Sequence, residues 1–366
     1  MGAQLKDIYN EKLLHEFGEK VHNVYCKFDP KGFTDDIITG DWDSLPLKAR
    51  MRRITETLGQ HLPMSYGDAL NVLFSIDESC IGVPYLFFPD FVEVYGQEEK
   101  YLELSMKALE RFTQRSSSEF AIRPFIVKYP DRVMKRMMIW AKHPNEHVRR
   151  LASEGSRPRL PWGMALQIFK KDPSQVINIL EQLKNDPSLY VRKSVANNLN
   201  DISKDNPIVV LDIVKKWINI NPYTDWILRK GCRTLIRNGN LEAMKLFGYT
   251  NFLAEKLQIT EASISLGLSS IKIGESCEFR YELDIPKCES AHIRIEYGID
   301  FVKARGNKSR KLFLLSDKTV EGGAHISGIK IHSFADLTTR RHYPGEHRIA
   351  LLINGQEKAY TILKII

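Results

Sequence analysis

Two stretches, His143-Pro-Asn-Glu-His-Val-Arg-Arg150 and Asp186-Pro-Ser-Leu-Tyr-Val-Arg-Lys193, are one pattern written twice. Each opens on a residue followed by proline, which is pushed out of the helical region and so marks a turn. The first then runs into Val148, Leu151 and Ala152, apolar positions at the spacing of an amphipathic helix. The correspondence extends upstream. Tyr129-Pro-Asp-Arg-Val133 matches Asp172-Pro-Ser-Gln-Val176, and Pro130/Pro173, Pro144/Pro187, Val148/Val191 and Arg149/Arg192 share one offset. A looser third copy places Pro207, Pro222, Leu228 and Arg229 in the same order, and segments 98–113 and 117–128 read as an earlier pair. Helix, Pro-marked turn, helix with a period of roughly 40 residues is a HEAT-like pattern. One helix pair cannot bury its own apolar face, so such units stack into a solenoid. Residues 98–250 are therefore expected to be an all-α HEAT-like repeat solenoid. Its second helices would carry Arg123, Arg149, Arg150, Arg192, Lys193, Arg229 and Lys230 as a positive stripe along a groove; for any one of them the alternative is a solvated helix face.

Upstream, residues 1–95 read as a helical cap. Leu5, Ile8, Leu13, Leu14 and Phe17 suggest one amphipathic helix, Pro46 to His61 a second, and Tyr66 to Phe74 a third. Pro84 and Pro89 bracket the aromatic run Tyr85-Leu86-Phe87-Phe88, which reads as core. After Leu257 the period changes to two, as in Ile264-Ser-Leu-Gly-Leu, Phe279-Arg-Tyr-Glu-Leu and Ile293-Arg-Ile-Glu-Tyr. Asn354-Gly355, between two apolar runs, predicts a hairpin turn. About seven or eight short strands imply a small all-β immunoglobulin-like sandwich over 258–366, giving a multidomain chain with its helical domain at 1–257. Lys303-Ala-Arg-Gly-Asn-Lys-Ser-Arg-Lys311 holds five cations, and Thr338-Thr-Arg-Arg-His-Tyr-Pro-Gly-Glu-His347 is expected to be an exposed loop.

The 366 residues carry 53 Lys+Arg against 45 Asp+Glu, a formal charge of +8. That surplus permits an anionic partner such as nucleic acid without demanding one. Five scattered cysteines, with no Cys-x-x-Cys, suit reduced thiols better than a disulfide framework. No apolar stretch has transmembrane length and the N-terminal residues have no signal-peptide core, so no membrane is expected as a partner and a cytoplasmic location is.

The familiar nucleotide, zinc-protease and serine-hydrolase motifs are missing. His143 and His147 are four apart, but Pro144 intervenes and no third ligand is evident; no metal and no cofactor are expected. What remains is carboxylates, arginines and a tryptophan, concentrated in residues 147–163: Arg149, Arg150, Glu154, Arg157, Arg159 and Trp162. Gly155 should end the helix, with Pro158 and Pro161 keeping the following chain extended. Glu154 then falls at a helix C-terminus, where the macrodipole disfavours an anion; a locally misplaced acid often marks a functional site. It reads equally as a surface glutamate paired with Arg150 or Arg157. Ser116-x-x-Glu119 fits a capping box, which would occupy that glutamate structurally. Trp162 reads as a packing aromatic, and Asp201 as a turn or cap residue.

The repeats, together with Ser116-Ser-Ser-Glu-Phe-Ala-Ile-Arg-Pro-Phe125 and Leu151-Ala-Ser-Glu-Gly-Ser-Arg-Pro-Arg-Leu-Pro-Trp162, resemble the AlkC family of bacterial DNA alkylation-repair glycosylases, relatives of AlkD. The 338–347 stretch is similar to a loop of the immunoglobulin-like domain found on some members. The resemblance implies hydrolysis of the N-glycosidic bond of cationic 3-methyladenine and 3-methylcytosine in duplex DNA, the start of base excision repair. Nothing in the sequence requires a dimer, so a monomer is expected. The resemblance places Glu119, Glu154 and Trp162 near the lesion, with Arg150, Arg157 and Asp201 holding DNA or supporting the acids. It places Arg159, Arg340 and Arg341 as DNA contacts, and the basic stripe of the repeats adds Arg149 and Arg192. The reading from a different class is a non-catalytic HEAT-repeat scaffold that binds nucleic acid or protein. The acids separate the two, since a pure DNA binder has no reason to place Glu119 and Glu154 where phosphates approach.

Overall fold

In the computed structural model, which describes residues 4–253, 258–259, 261–337 and 340–366, an all-α region precedes an all-β one. Packing divides the chain into two compact units, Met1–Asn206 with Ile218–Gly231, and Pro207–Trp217 with Cys232–Ile366. That division differs from the border expected after Leu257. The third repeat's helix Pro207–Trp217 groups with the sandwich unit, where it meets helix Leu241–Leu246. Residues 254–257 beside the expected border lie outside the described ones.

In the first unit the expected first helix is two elements, a 3-10 turn Leu5–Ile8 and a helix Glu11–Val24. Asn10 causes the break: its side chain accepts the Leu13 amide at 3.0 Å and caps the second element. A helix at Pro30–Ile37, which the apolar pattern did not announce, starts on proline with Asp29 as its cap. Helices Leu47–His61 and Tyr66–Ile76 follow the expected faces, and Phe87 and Phe88 pack edge-on against Phe17.

The repeats are helix pairs, Leu102–Thr113 with Ile122–Lys128, Pro130–Trp140 with Glu146–Gly155, and Ser174–Leu183 with Leu189–Ile202. The second helices stack in order, Glu146–Gly155 on Leu189–Ile202 and that on Pro222–Gly231. The repeated arginine has a use that the stripe did not include. Arg149 Nη1 donates to the carbonyls of His143 and Pro144 at 3.0 and 2.8 Å. One period later, Arg192 Nη1 donates to those of Asp186 and Pro187 at 2.8 and 2.9 Å. Proline makes the turn, and the arginine satisfies the carbonyls that the turn leaves without amide partners. Arg149 also holds Asp186 at 2.6 Å, and Arg192 stacks over the Tyr223 ring at 3.9 Å. Arg123 departs further from the stripe, being fully buried. Lys193, Arg229 and Lys230 stay exposed.

In the second unit, β1 (Ala262–Leu266), β3 (Ser276–Asp284) and β6 (His325–Ser333) form one antiparallel sheet in the order β1-β3-β6. The other sheet runs β2-β8-β7-β4-β5, with β2 at Ser270–Ile271, β4 at Ser290–Val302, β5 at Lys308–Glu321, β7 at Gly345–Ile353 and β8 at Gln356–Ile365. Their inward residues, among them Phe279, Ile293, Ile295, Ile349, Leu351 and Leu363, make one core. Asn354 and Gly355 have φ of 48° and 77°, the positive pair that a two-residue turn between right-twisted strands requires. Within the stretch expected as an exposed loop, the described residues 340–347 are only partly exposed. Thr338 and Thr339 lie outside the described residues and Arg341 is exposed, but His342 and His347 are buried and half-buried Arg340 lies 5.0 Å over Phe301.

Candidate active site

Helix Glu146–Gly155 starts on Asn145, whose side chain accepts the His147 amide, and carries Arg150 and Glu154 one turn apart on the same face. Glu154 sits in the last turn, as the sequence implied, but it is no surface residue: its side chain is 7% exposed. Its position near the helix's negative end is made tolerable by two guanidinium groups. Arg157 Nη1 donates to Oε1 at 2.6 Å, and Arg150 Nη2 stands 3.7 Å away.

Glu119 comes from the turn ahead of helix Ile122–Lys128. The capping box expected there does not form: the helix begins at Ile122 without a side-chain cap, and Ser116 Oγ has no partner. The Glu119 carboxylate is instead taken by Arg150 Nη1 at 2.7 Å and by the Ser117 hydroxyl, which donates at 2.8 Å. Arg150 thus joins Glu119 to Glu154, two acids far apart in sequence. Behind it, the Tyr190 ring lies 4.7 Å from the guanidinium. Sequence reasoning missed Tyr190; its place in the repeated motif, one residue before Val191, was the available signal.

A second bridge extends the cluster. Arg157 Nε donates to Asp201 Oδ2 at 2.8 Å, so Arg157 links Glu154 to Asp201, which also takes Lys204 at 2.9 Å. Asp201 is neither a turn nor an exposed cap; it is 2% exposed in the last turn of helix Leu189–Ile202. Burial opposes the charge on Arg150 and Arg157, but the adjacent carboxylates outweigh it and raise both. Arg159 pairs bidentately with Asp205 at 2.8 and 2.6 Å, at the edge of this cluster.

The chain after Gly155 is a series of turns, not the extended segment that two prolines suggested. The Leu166 amide donates to Pro158 O and the Gly163 amide to Leu160 O. Trp162 is at its tip, 71% exposed, so it is no packing aromatic. Its φ of 63° puts a bulky residue in the left-handed region, at a cost on the order of 1–3 kcal/mol. Trp162, Glu119, Glu154 and Arg157 face one pocket of about 360 Å³ whose remaining walls are mostly apolar: Leu5, Leu47, Met51, Val83, Leu86, Phe120, Leu160 and Pro161. Five of those wall residues come from the N-terminal helices, which the sequence offered only as a packing cap. Among the described residues no three His, Cys, Asp or Glu side chains converge as a metal site; His143 Nδ1 accepts the Asn145 amide instead. No described helix is long and apolar enough to cross a membrane.

The arrangement offers anionic oxygens at the edge of an apolar pocket under an exposed indole face. Such a site attracts a flat cation, or a centre becoming cationic, more than a neutral one. Comparison with known proteins agrees with the architecture. Residues 107–235 match the family described as "DNA alkylation repair enzyme", and 260–366 match "Uncharacterised protein YhaZ, C-terminal Ig-like domain". The "Uncharacterized protein YhaZ" of Bacillus subtilis is 45% identical over 356 residues, 97% of this chain and 98% of that protein. The structure of Pseudomonas fluorescens alkylpurine DNA glycosylase AlkC, bound to DNA containing an abasic site analog, superposes with a TM-score of 0.92 at 37% identity, covering 100% of both chains.

Proposed function

The chain belongs to the AlkC family of DNA alkylation repair enzymes, and from that premise we propose that it is a DNA glycosylase excising cationic N3-alkylated bases, 3-methyladenine and 3-methylcytosine, from duplex DNA. The observation that carries the reading is the pair Glu119 and Glu154, joined by Arg150 at the edge of the pocket that Trp162 overhangs.

The chemistry follows from the substrate's charge. An N3-methylated base is already cationic, so it departs neutral and needs no general acid. The demand is on the sugar, where C1′ becomes oxocarbenium-like as the bond stretches. A carboxylate beside C1′ is attracted to that charge more strongly than to the ground state, which lowers the barrier. The same oxygen can orient the attacking water, whose proton it accepts as the C1′–O bond forms. The Trp162 face can hold the cationic nucleotide by cation–π attraction, about 0.5–2 kcal/mol. Arg157 and Asp201 act as positioning residues that fix the Glu154 carboxylate. Arg150, joining Glu119 to Glu154, positions both acids, while Arg159, with Arg340 and Arg341 of the immunoglobulin-like unit, is assigned to the DNA backbone; each phosphate neutralised adds about one unit to the salt slope of binding. Arg149 and Arg192, clasping their turns, have less to offer there.

The test is release of free base from methylated duplex DNA. The wild-type chain should liberate 3-methyladenine and 3-methylcytosine. Glu154→Gln and Glu119→Gln should each bind DNA normally while excision slows by about 10²–10³. A wild type that releases neither base ends the enzyme reading, and full activity in both variants ends the assignment of the acids.

A further inference from the structure

Among the described residues of the N-terminal helical region that line the pocket, Lys48 is the polar one. It belongs to helix Leu47–His61, is itself exposed, and points its ammonium at the loop that carries Trp162. Lys48 Nζ donates to the Trp162 carbonyl at 2.9 Å and lies 4.6 Å over the Phe120 ring. Its bond falls at the residue whose backbone is strained, φ 63° with an indole attached. A bulky residue stays in that region only where its surroundings over-determine it.

The rest of the loop is held in the same manner. Fully buried Arg123 donates Nη1 to Gly155 O at 2.9 Å and Nε to Met164 O at 2.7 Å, tying the loop's two ends together. Arg123 reaches no carboxylate there; it uses its charge on carbonyls, one of them in the last turn of a helix, where a cation is favoured. The ends of the loop are therefore closed from beneath by Arg123, and its tip is held from the side by Lys48.

We propose that Lys48 is a positioning residue of the excision site: by fixing the Trp162 carbonyl it keeps the indole and the neighbouring Arg157 in working geometry before DNA arrives. The inference rests on the glycosylase reading for the meaning of that geometry, but its first test does not. Because Lys48 is exposed, Lys48→Met should leave the fold intact. Without DNA, it should speed amide hydrogen exchange in residues 157–166, where the Gly163 and Leu166 amides are bonded within the loop, by about tenfold. With DNA, it should slow single-turnover release of 3-methyladenine at saturating enzyme about tenfold, short of the ~10² that an ångström's misplacement of a reacting group costs. Duplex affinity and its salt slope should not change. Lys48→Arg, which keeps a donor for the carbonyl, should restore both exchange and rate. Unchanged exchange together with weaker DNA binding and a reduced salt slope would make Lys48 a phosphate contact and overturn the proposal, as would a Lys48→Arg variant no better than Lys48→Met. If the wild type releases no base, the glycosylase reading fails and the exchange measurement decides the positioning role.

Discussion

Replacing Arg157 with methionine removes its charge and its hydrogen bonds to both acids while keeping an unbranched apolar stem in their place. Arg157 is 6% exposed and serves two acids, Glu154 at 2.6 Å and Asp201 at 2.7–2.8 Å. Its loss leaves their side chains, 7% and 2% exposed, without their nearest counter-charge. Breaking a buried pair in this way costs about 3–5 kcal/mol. Glu154 would still have Arg150 at 3.7 Å and Asp201 would still have Lys204 at 2.9 Å, so the lower end, about 3 kcal/mol, applies. Urea unfolding at pH 8 should therefore show Arg157→Met less stable than wild type by about 3 kcal/mol. Adding Glu154→Gln and Asp201→Asn should recover most of the loss, since a neutral cluster needs no guanidinium. A deficit below about 1 kcal/mol at pH 8, or a triple variant no more stable than Arg157→Met alone, would refute the account of a charge-balanced buried cluster.

Two further expectations concern the second unit. His332, His342 and His347 pack around Phe301 and Phe334, and burial lowers all three, His332 to about 4. The folded state holds them neutral while the unfolded chain protonates near 6.5, so their contribution is complete above about pH 6.5 and is lost as the pH falls towards 4; calorimetry of the full chain should show the midpoint dropping over that window, less steeply in His332→Phe, and a flat profile would contradict it. Gly355→Ala should destabilise the full chain by about 2 kcal/mol or more, because φ is 77° and the new Cβ would stand 2.2 Å from the Gly239 backbone; urea unfolding indistinguishable from wild type would show that the hairpin tip and the 239 turn separate freely.

What could be read from the sequence was whatever repeats or alternates. Period gave the helix pairs and the strands, and Asn354-Gly355 gave its turn, because those patterns report directly on which face is buried. The meaning of the repeated arginines was harder to see. Arg149 and Arg192 recur because Pro144 and Pro187 recur, and a guanidinium six residues on from the turn's first carbonyl closes it; a pattern of charges cannot distinguish a clasp from a binding stripe. Arg123 shows the same limit, since nothing local tells that a cation will be fully buried on carbonyls. In the site, Glu154 was legible as an acid in an unfavourable place. Its junction with Glu119 was not, because Arg150 joins two residues 35 positions apart and that contact exists only once the repeats have stacked. Lys48 was invisible for the same reason, its partner lying 114 positions away.

The charge balance of the site bears on the role proposed for its acids. Glu119, Glu154 and Asp201 bring three negative charges, and Arg123, Arg150, Arg157 and Lys204 bring four positive ones within the same cluster. Seen from a distance greater than the Debye length, about 8 Å at physiological ionic strength, such a cluster presents little net charge. At contact distance the cancellation fails, because each oxygen still presents its own lone pairs to an atom pressed against it. Removing the acids would leave Arg150 and Arg157, with side chains 17% and 8% exposed, short of counter-charges, so the acids also balance the charge of the fold. Packing three acids among four cations is an arrangement suited to meeting a positive charge at short range, the requirement that the proposed excision would place on the site.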